Sequence, residues 1–161
     1  MVHINLMPIA ISSDKINLSS ENKTKELAEK FLKKLKGGDI IYLYGEMGVG
    51  KTTFIRYLIN AFQRKNNLQI TEVTSPTFNI LNQYDLNSFH INHYDLFRLK
   101  TKEETKNLDI FEDNLNIITL IEWPQLIEKK PKKLIELIFN YENDHQMRSV
   151  KIKGLDSKFF R

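Results

Sequence analysis

Gly45-Glu46-Met47-Gly48-Val49-Gly50-Lys51-Thr52 follows the pattern G-x-x-x-x-G-K-[ST], and its reading decides the fold. Three of the chain's six glycines lie inside it. In such a loop the backbone N–H groups turn inward around a phosphate, which calls for positive φ and leaves no room for a Cβ. Lys51 then offers a positive charge to the outer phosphates, and the Thr52 hydroxyl is placed to ligate Mg²⁺. The flanks agree with that reading. Ile40 to Tyr44 is apolar and β-rich, while Phe54, Ile55, Leu58, Ile59 and Phe62 recur at helical spacing. Strand, loop and helix follow one another in the order that a phosphate site requires.

At 161 residues the chain is expected to be a single domain over 1–161, with 1–19 and 154–161 peripheral. It has no cysteine, which removes disulfides, thiolate metal sites and thiol nucleophiles. No apolar run approaches membrane-spanning length, and Met1 to Ala10 is too short and too weakly basic for a secretory signal. A cytoplasmic protein without membrane contact is expected. The net charge of +4 and pI of about 9.1 suit an anionic partner such as a nucleotide or RNA without demonstrating one.

Outward from the loop, the spacing predicts a helix from Ser20 or Asn22 to Lys36, with Leu27, Ala28, Phe31, Leu32 and Leu35 on one face and Gly37-Gly38 as its stop. Val2 to Ile11 and Ile16 to Leu18 are short apolar pieces that suit an edge strand. The helix after the loop is expected to run to about Arg64. Ile70 to Thr74 reads as a short strand ended by Ser75-Pro76. Phe78 to Tyr84 and Phe89 to Phe97 form a hairpin around Asp85-Leu86-Asn87-Ser88. Thr101-x-x-Glu104 is a capping box opening a short helix. Ile117 to Glu122 is nearly continuous apolar sequence, as expected of a parallel strand buried on both faces. Leu134 to Tyr141 and Arg148 to Ile152 make a second hairpin around Asn143-Asp144. The fold class is therefore α/β: a P-loop NTPase-like sheet with central parallel strands, flanking helices and added antiparallel hairpins.

Ligands of parallel α/β sheets sit at the carboxyl ends of the strands. Glu122 ends its strand there, so in one sheet with Ile40 to Tyr44 it faces the phosphate site, where an acid holds Mg²⁺ or orients water. Asp95, in His93-Tyr94-Asp95-Leu96-Phe97-Arg98, shares a strand face with His93 and Phe97; taken alone it reads as a solvated strand residue, and within reach of the loop it could share the metal or activate water. Thr77 is either a switch residue sensing the outer phosphate or part of a turn. Trp123 could wall the nucleotide site or cap the core, and spacing alone favours the core. His90-x-x-His93 falls on opposite faces of a strand, which disfavours zinc, and Lys129-Lys130-Pro131-Lys132-Lys133 reads as an exposed turn.

Neither N-K-x-D nor D-x-x-G occurs, which argues against a GTPase, and the absence of any Ser-Gly pair argues against an ABC-type ATPase. The five arginines are not clustered, which weakens a small-molecule kinase but leaves it as the alternative, beside a binding module that does not hydrolyse. The ordered motifs Gly45 to Thr53, Ser75-Pro76-Thr77-Phe78, His93 to Leu99 and Ile121-Glu122-Trp123-Pro124 closely resemble the bacterial TsaE (YjeE) family. The resemblance runs from about Ser20 to Pro124, and more weakly through the terminal hairpin.

The resemblance implies an Mg-dependent ATPase, weak alone, that acts with TsaB and TsaD in making threonylcarbamoyladenosine in tRNA, and that meets tRNA through that complex. It implies that Gly45, Glu46, Met47, Gly48, Val49, Gly50, Lys51, Thr52 and Thr53 surround the phosphates. Thr52, Glu122 and Asp95 would serve the metal, Asp95 and Glu122 the catalysis, Thr77 the switch, and Trp123 the nucleotide site. Two positions depart from the family pattern. Phe97 replaces a tyrosine, and Asn107 stands where glycine is frequent before Leu108, a position where a left-handed backbone is expected.

Overall fold

Strand alternation sorts the apolar residues of this chain onto two faces of one sheet, and the two faces are covered differently. The computed structural model describes residues 15–112 and 115–160; the expected edge piece Val2 to Ile11 lies outside them. Among the described residues the strands are β1 (Ile16–Asn17), β2 (Ile40–Tyr44), β3 (Leu81–Asp85), β4 (His90–Asp95), β5 (Ile117–Glu122), β6 (Leu134–Glu142) and β7 (Met147–Lys153). The helices are α1 (Glu21–Lys34), α2 (Lys51–Lys65) and the short α3 (Lys102–Lys106). The sheet order is β1-β7-β6-β2-β5-β4-β3. β4, β5, β2 and β6 run parallel, while β3–β4, β6–β7 and β1–β7 are antiparallel.

One face buries Ile41, Leu43, Ile91, Ile118, Leu120, Leu137, Phe139 and Val150 beneath α1 and α2. Phe54 of α2 anchors that layer, edge-on to Phe31 of α1 at 5.3 Å and tilted against Phe139 at 6.2 Å. The other face carries a smaller cluster of Tyr42, Tyr94, Leu96, Ile110, Ile121 and Leu134 under the segments after β4 and β5. Ser20 caps α1 by accepting from the Lys23 N–H at 3.3 Å, and Thr101 with Glu104 closes the expected capping box on α3. None of the described helices is long and apolar enough to cross a membrane.

Four local expectations change. Ile70 to Thr74 is not a strand, because its polar groups are taken by α2: Gln63 Nε2 donates to Thr71 Oγ1 at 2.8 Å, and the Thr71 N–H donates to Gln63 Oε1 at 3.2 Å. The first hairpin strand begins at Leu81, leaving Phe78 at 95% exposure. Asn107 is right-handed, and it is Asp109 that takes the left-handed conformation. Beyond Gly154, Leu155 is buried and Phe159 packs against Phe31 at 4.8 Å, so the tail lies on the core.

Phe54 leaves the loop by a single helical turn, so it joins the site to the core. Replacing it with alanine is expected to cost about 3–5 kcal/mol in urea unfolding, and Phe54→Leu clearly less. Equal costs for the two would show that volume at this position does not hold α2 down.

Candidate phosphate-binding site

The parallel pairing of β2 with β5 sets Leu43 opposite Glu122, and that of β4 with β5 sets Asp95 opposite Glu122. Three strand ends therefore deliver the loop and both acids to one edge of the sheet. They meet α2 at its first turn. Gly50 precedes that turn at φ 119°, a left-handed conformation, with open space where a Cβ would stand. A cleft of about 420 Å³ lies there, bounded by Lys51, Thr52, Thr77, Asp95, Glu122 and Trp123 among others. This volume falls within the usual range for small-molecule sites.

At its floor the Thr52 hydroxyl donates to Glu122 Oε1 at 2.8 Å. A hydroxyl has one proton to give, so the Ser75 hydroxyl, 2.7 Å away, is the donor to Thr52. Glu122 is 3% exposed, and its Oε1 also meets His93 Nε2 at 2.9 Å. With the carboxylate accepting, His93 donates through Nε2; its buried Nδ1 has no hydrogen-bond partner among the described residues. Glu122 is thus held by one donor from the loop helix and one from β4. His90 lies on the opposite strand face, 3.7 Å from Asp85.

Lys51 is 4% exposed. Its ammonium donates to the Gly45 carbonyl and, at 3.0 Å, to that of Glu46, and stands 4.2 Å from the centroid of the Trp123 ring. Burial lowers its pKa, against the opposing charges of Glu122, Asp95 and Glu46. Burial raises the pKa of Asp95, partly countered by the Phe97 N–H, which donates to its Oδ1 at 3.0 Å.

Ten of the residues expected at the site border the cleft: Met47, Gly48, Gly50, Lys51, Thr52, Thr53, Thr77, Asp95, Glu122 and Trp123. Gly45 and Glu46 serve through their carbonyls, and Val49 is a buried peg in the core. Trp123 is a correction to the reading from spacing. Its φ of +56° turns the ring out of the strand line, so that it walls the cleft against Phe97, 4.9 Å away, with only its back on the second cluster. Spacing did not single out Ser75, the pairing of His93 with Glu122, or Arg98 on the rim. The signal for them was their place inside the two ordered motifs.

The groups at the floor that could hold a metal are hard oxygens: the Thr52 hydroxyl, hydrogen-bonded to the Glu122 carboxylate, and the Asp95 carboxylate bordering the same cleft. That chemistry fits magnesium, which takes few protein ligands and keeps water and phosphate oxygens for the rest. Among the described residues there is no cluster of three or more His, Cys, Asp or Glu able to cage a metal alone. A metal here would depend on a phosphate ligand.

The family model described as "Threonylcarbamoyl adenosine biosynthesis protein TsaE" matches residues 18–150. The protein named tRNA threonylcarbamoyladenosine biosynthesis protein TsaE from Rickettsia conorii is 38% identical over 149 residues, covering 83% of this chain and 82% of its own. That from Aquifex aeolicus is 34% identical over 131 residues, 81% of this chain and 91% of its own. The crystal structure of Bacillus subtilis YdiB shares the fold at a TM-score of 0.63 and 23% identity, over 90% of this chain and 87% of that one. The family model over residues 18–150 and relatives 34–38% identical over most of the chain show the family: the chain belongs to the TsaE family.

Proposed function

We propose that this protein binds ATP with Mg²⁺ and hydrolyses it in the service of tRNA threonylcarbamoyladenosine synthesis, acting with TsaB and TsaD. The observation that carries the reading is the convergence of Lys51, Thr52, Asp95 and Glu122 on one cleft at the carboxyl edge of the sheet. Lys51 exchanges the Gly45 and Glu46 carbonyls for outer phosphate oxygens. Thr52 and Glu122 would hold Mg²⁺, which when bound neutralises charge on the phosphates and on the leaving oxygen.

Asp95 accepts the proton of the attacking water, and burial makes it a stronger base than an ordinary aspartate. The water oxygen bonds to the γ-phosphorus as the bond to the bridging oxygen breaks, giving ADP and inorganic phosphate. His93 fixes the Glu122 carboxylate so that it need not reorganise. Thr77, exposed and bordering the cleft, lies on the segment between α2 and β3, which has no helix or strand. Met47 (67% exposed) and Phe97 border the cleft as exposed apolar groups, and Phe78, next to Thr77 in sequence, is exposed as well, a surface that a protein partner would cover. Partner docking would order Thr77 and complete the site, so activity alone would be weak. tRNA is reached through the complex.

Lys51→Ala is expected to abolish ATP binding measured by calorimetry. Asp95→Asn is expected to retain binding and to lose about 10²–10⁴-fold in turnover, read as free phosphate. Adding TsaB and TsaD should stimulate the unaltered protein. No stimulation, together with normal tRNA modification by Lys51→Ala, would overturn the proposal; labelled γ-phosphate passing to an acceptor other than water would point to a kinase.

His93→Ala leaves a buried carboxylate short of a donor. A loss of about 1–3 kcal/mol in unfolding free energy is expected, with slower hydrolysis, both partly restored in His93→Gln. Unchanged stability and turnover in His93→Ala would show that the pair is idle.

A further inference from the structure

On the face of the sheet that carries the smaller cluster, the register sets Gln83 of β3 beside Asn92 of β4, and Asn92 beside Thr119 of β5. Three polar side chains thus form one row across three strands. The next row toward the carboxyl edge, Leu81, Tyr94 and Ile121, is apolar or aromatic. Asn92 is only 8% exposed and Thr119 5%. Gln83 Nε2 donates to Asn92 Oδ1 at 3.0 Å, while the Thr119 hydroxyl has no hydrogen-bond partner among the described residues. Polar groups are costly to bury without partners, so such a row points to a ligand that carries donors and acceptors.

A cavity of about 410 Å³ lies over the row, a volume usual for small-molecule sites. The Tyr94 and Phe111 rings, the Asp109 and Glu112 carboxylates, Lys129 and Pro131 border it. So do Ile40 and Ile117, the first residues of β2 and β5, which puts the cavity at the amino ends of the parallel strands, away from Asp95 and Glu122. It shares no bordering residue with the phosphate cleft. A partner seated over that cleft would leave it open.

Lys129 and Pro131 belong to the turn Lys129-Lys130-Pro131-Lys132-Lys133, whose four lysines are exposed. The Tyr42 hydroxyl donates to the Lys129 carbonyl at 2.8 Å and so ties the turn to the sheet beside the cavity. Lys130 lies 3.7 Å from Glu136, whereas Lys129, Lys132 and Lys133 have no ion-pair partner among the described residues. The Lys129 ammonium stands 4.9 Å from the centroid of the Phe111 ring.

We propose that this cavity takes one unpaired base of a single-stranded RNA, with the neighbouring phosphates held by the lysine turn. Hydrogen-bonding side chains at the floor meet the edge of the base, the rings give it a stacking surface, and the lysines neutralise the backbone. Asp109 and Glu112 repel a phosphate from the cavity and accept from exocyclic amino groups, which favours adenine over uracil. That the strand is RNA rests on the proposed role in tRNA modification; the cavity itself requires an unpaired base. tRNA brought by the complex would then meet this chain directly as well.

The test is fluorescence anisotropy of labelled hexaadenylate, hexauridylate and a blunt RNA duplex with the full chain at low salt. Hexaadenylate should bind more tightly than hexauridylate, and both more tightly than the duplex. Phe111→Ala should weaken hexaadenylate about tenfold, Phe111→Tyr hardly at all. Thr119→Val, which keeps the shape and removes the hydroxyl, should weaken it about fivefold. Lys132→Ala combined with Lys133→Ala should weaken both single strands alike and lower the slope of log affinity against log salt by about 1.4. AMP-PNP affinity, which reads the cleft, should stay unchanged in every variant. Failure to bind either single strand, equal binding of the duplex, or a loss in the lysine variant with none in Phe111→Ala and Thr119→Val would overturn the proposal. Failure of AMP-PNP to bind the unaltered protein would instead overturn the ATP reading.

Discussion

A carboxylate as buried as Glu122 must be given hydrogen-bond donors, and the way this chain provides them ties the site together. One donor is the first-turn hydroxyl of α2; the other is an imidazole from the middle of β4. The loop helix, the strand that carries Glu122 and the strand that carries Asp95 are thereby fixed to one another at a single oxygen. The parallel register does the coarse work of bringing the strand ends together, and the hydrogen bonds at Oε1 do the fine work. Apolar packing could hold the same sheet, but it would not fix the direction of the carboxylate.

Much of this was legible because it is written in local periodicity and turn chemistry. The strand, loop and helix from Ile40 onward, the buried run ending at Glu122 and both hairpins follow from alternation, helical spacing and the turn residues between them. What was not legible depends on contacts between distant segments. Ile70 to Thr74 has the composition of a strand, but Gln63 satisfies its polar groups first. The partner of His93 lies 29 residues away, and only strand adjacency brings the two together. Trp123 escaped because a single positive φ removes its ring from the alternation that placed it in the core.

The two faces of the sheet divide the labour. The face under α1 and α2 is apolar and continuous, and it makes α2 a rigid mount for Lys51 and Thr52. The other face is covered by segments after β4 and β5 with a smaller cluster, and the cleft wall of Trp123 and Phe97 is continuous with that side. The site thus sits where the larger apolar cluster meets the smaller one.

Trp123 is the chain's single tryptophan, and its ring stands against the Lys51 ammonium and Phe97 with its back on the smaller apolar cluster. Its emission is therefore a local signal, governed by the charge and solvent at the cleft wall. A denaturation curve followed by that emission records the dismantling of the cleft, whereas circular dichroism records the loss of helices and sheet. Where the two curves part, the difference measures how much more readily the site opens than the domain melts.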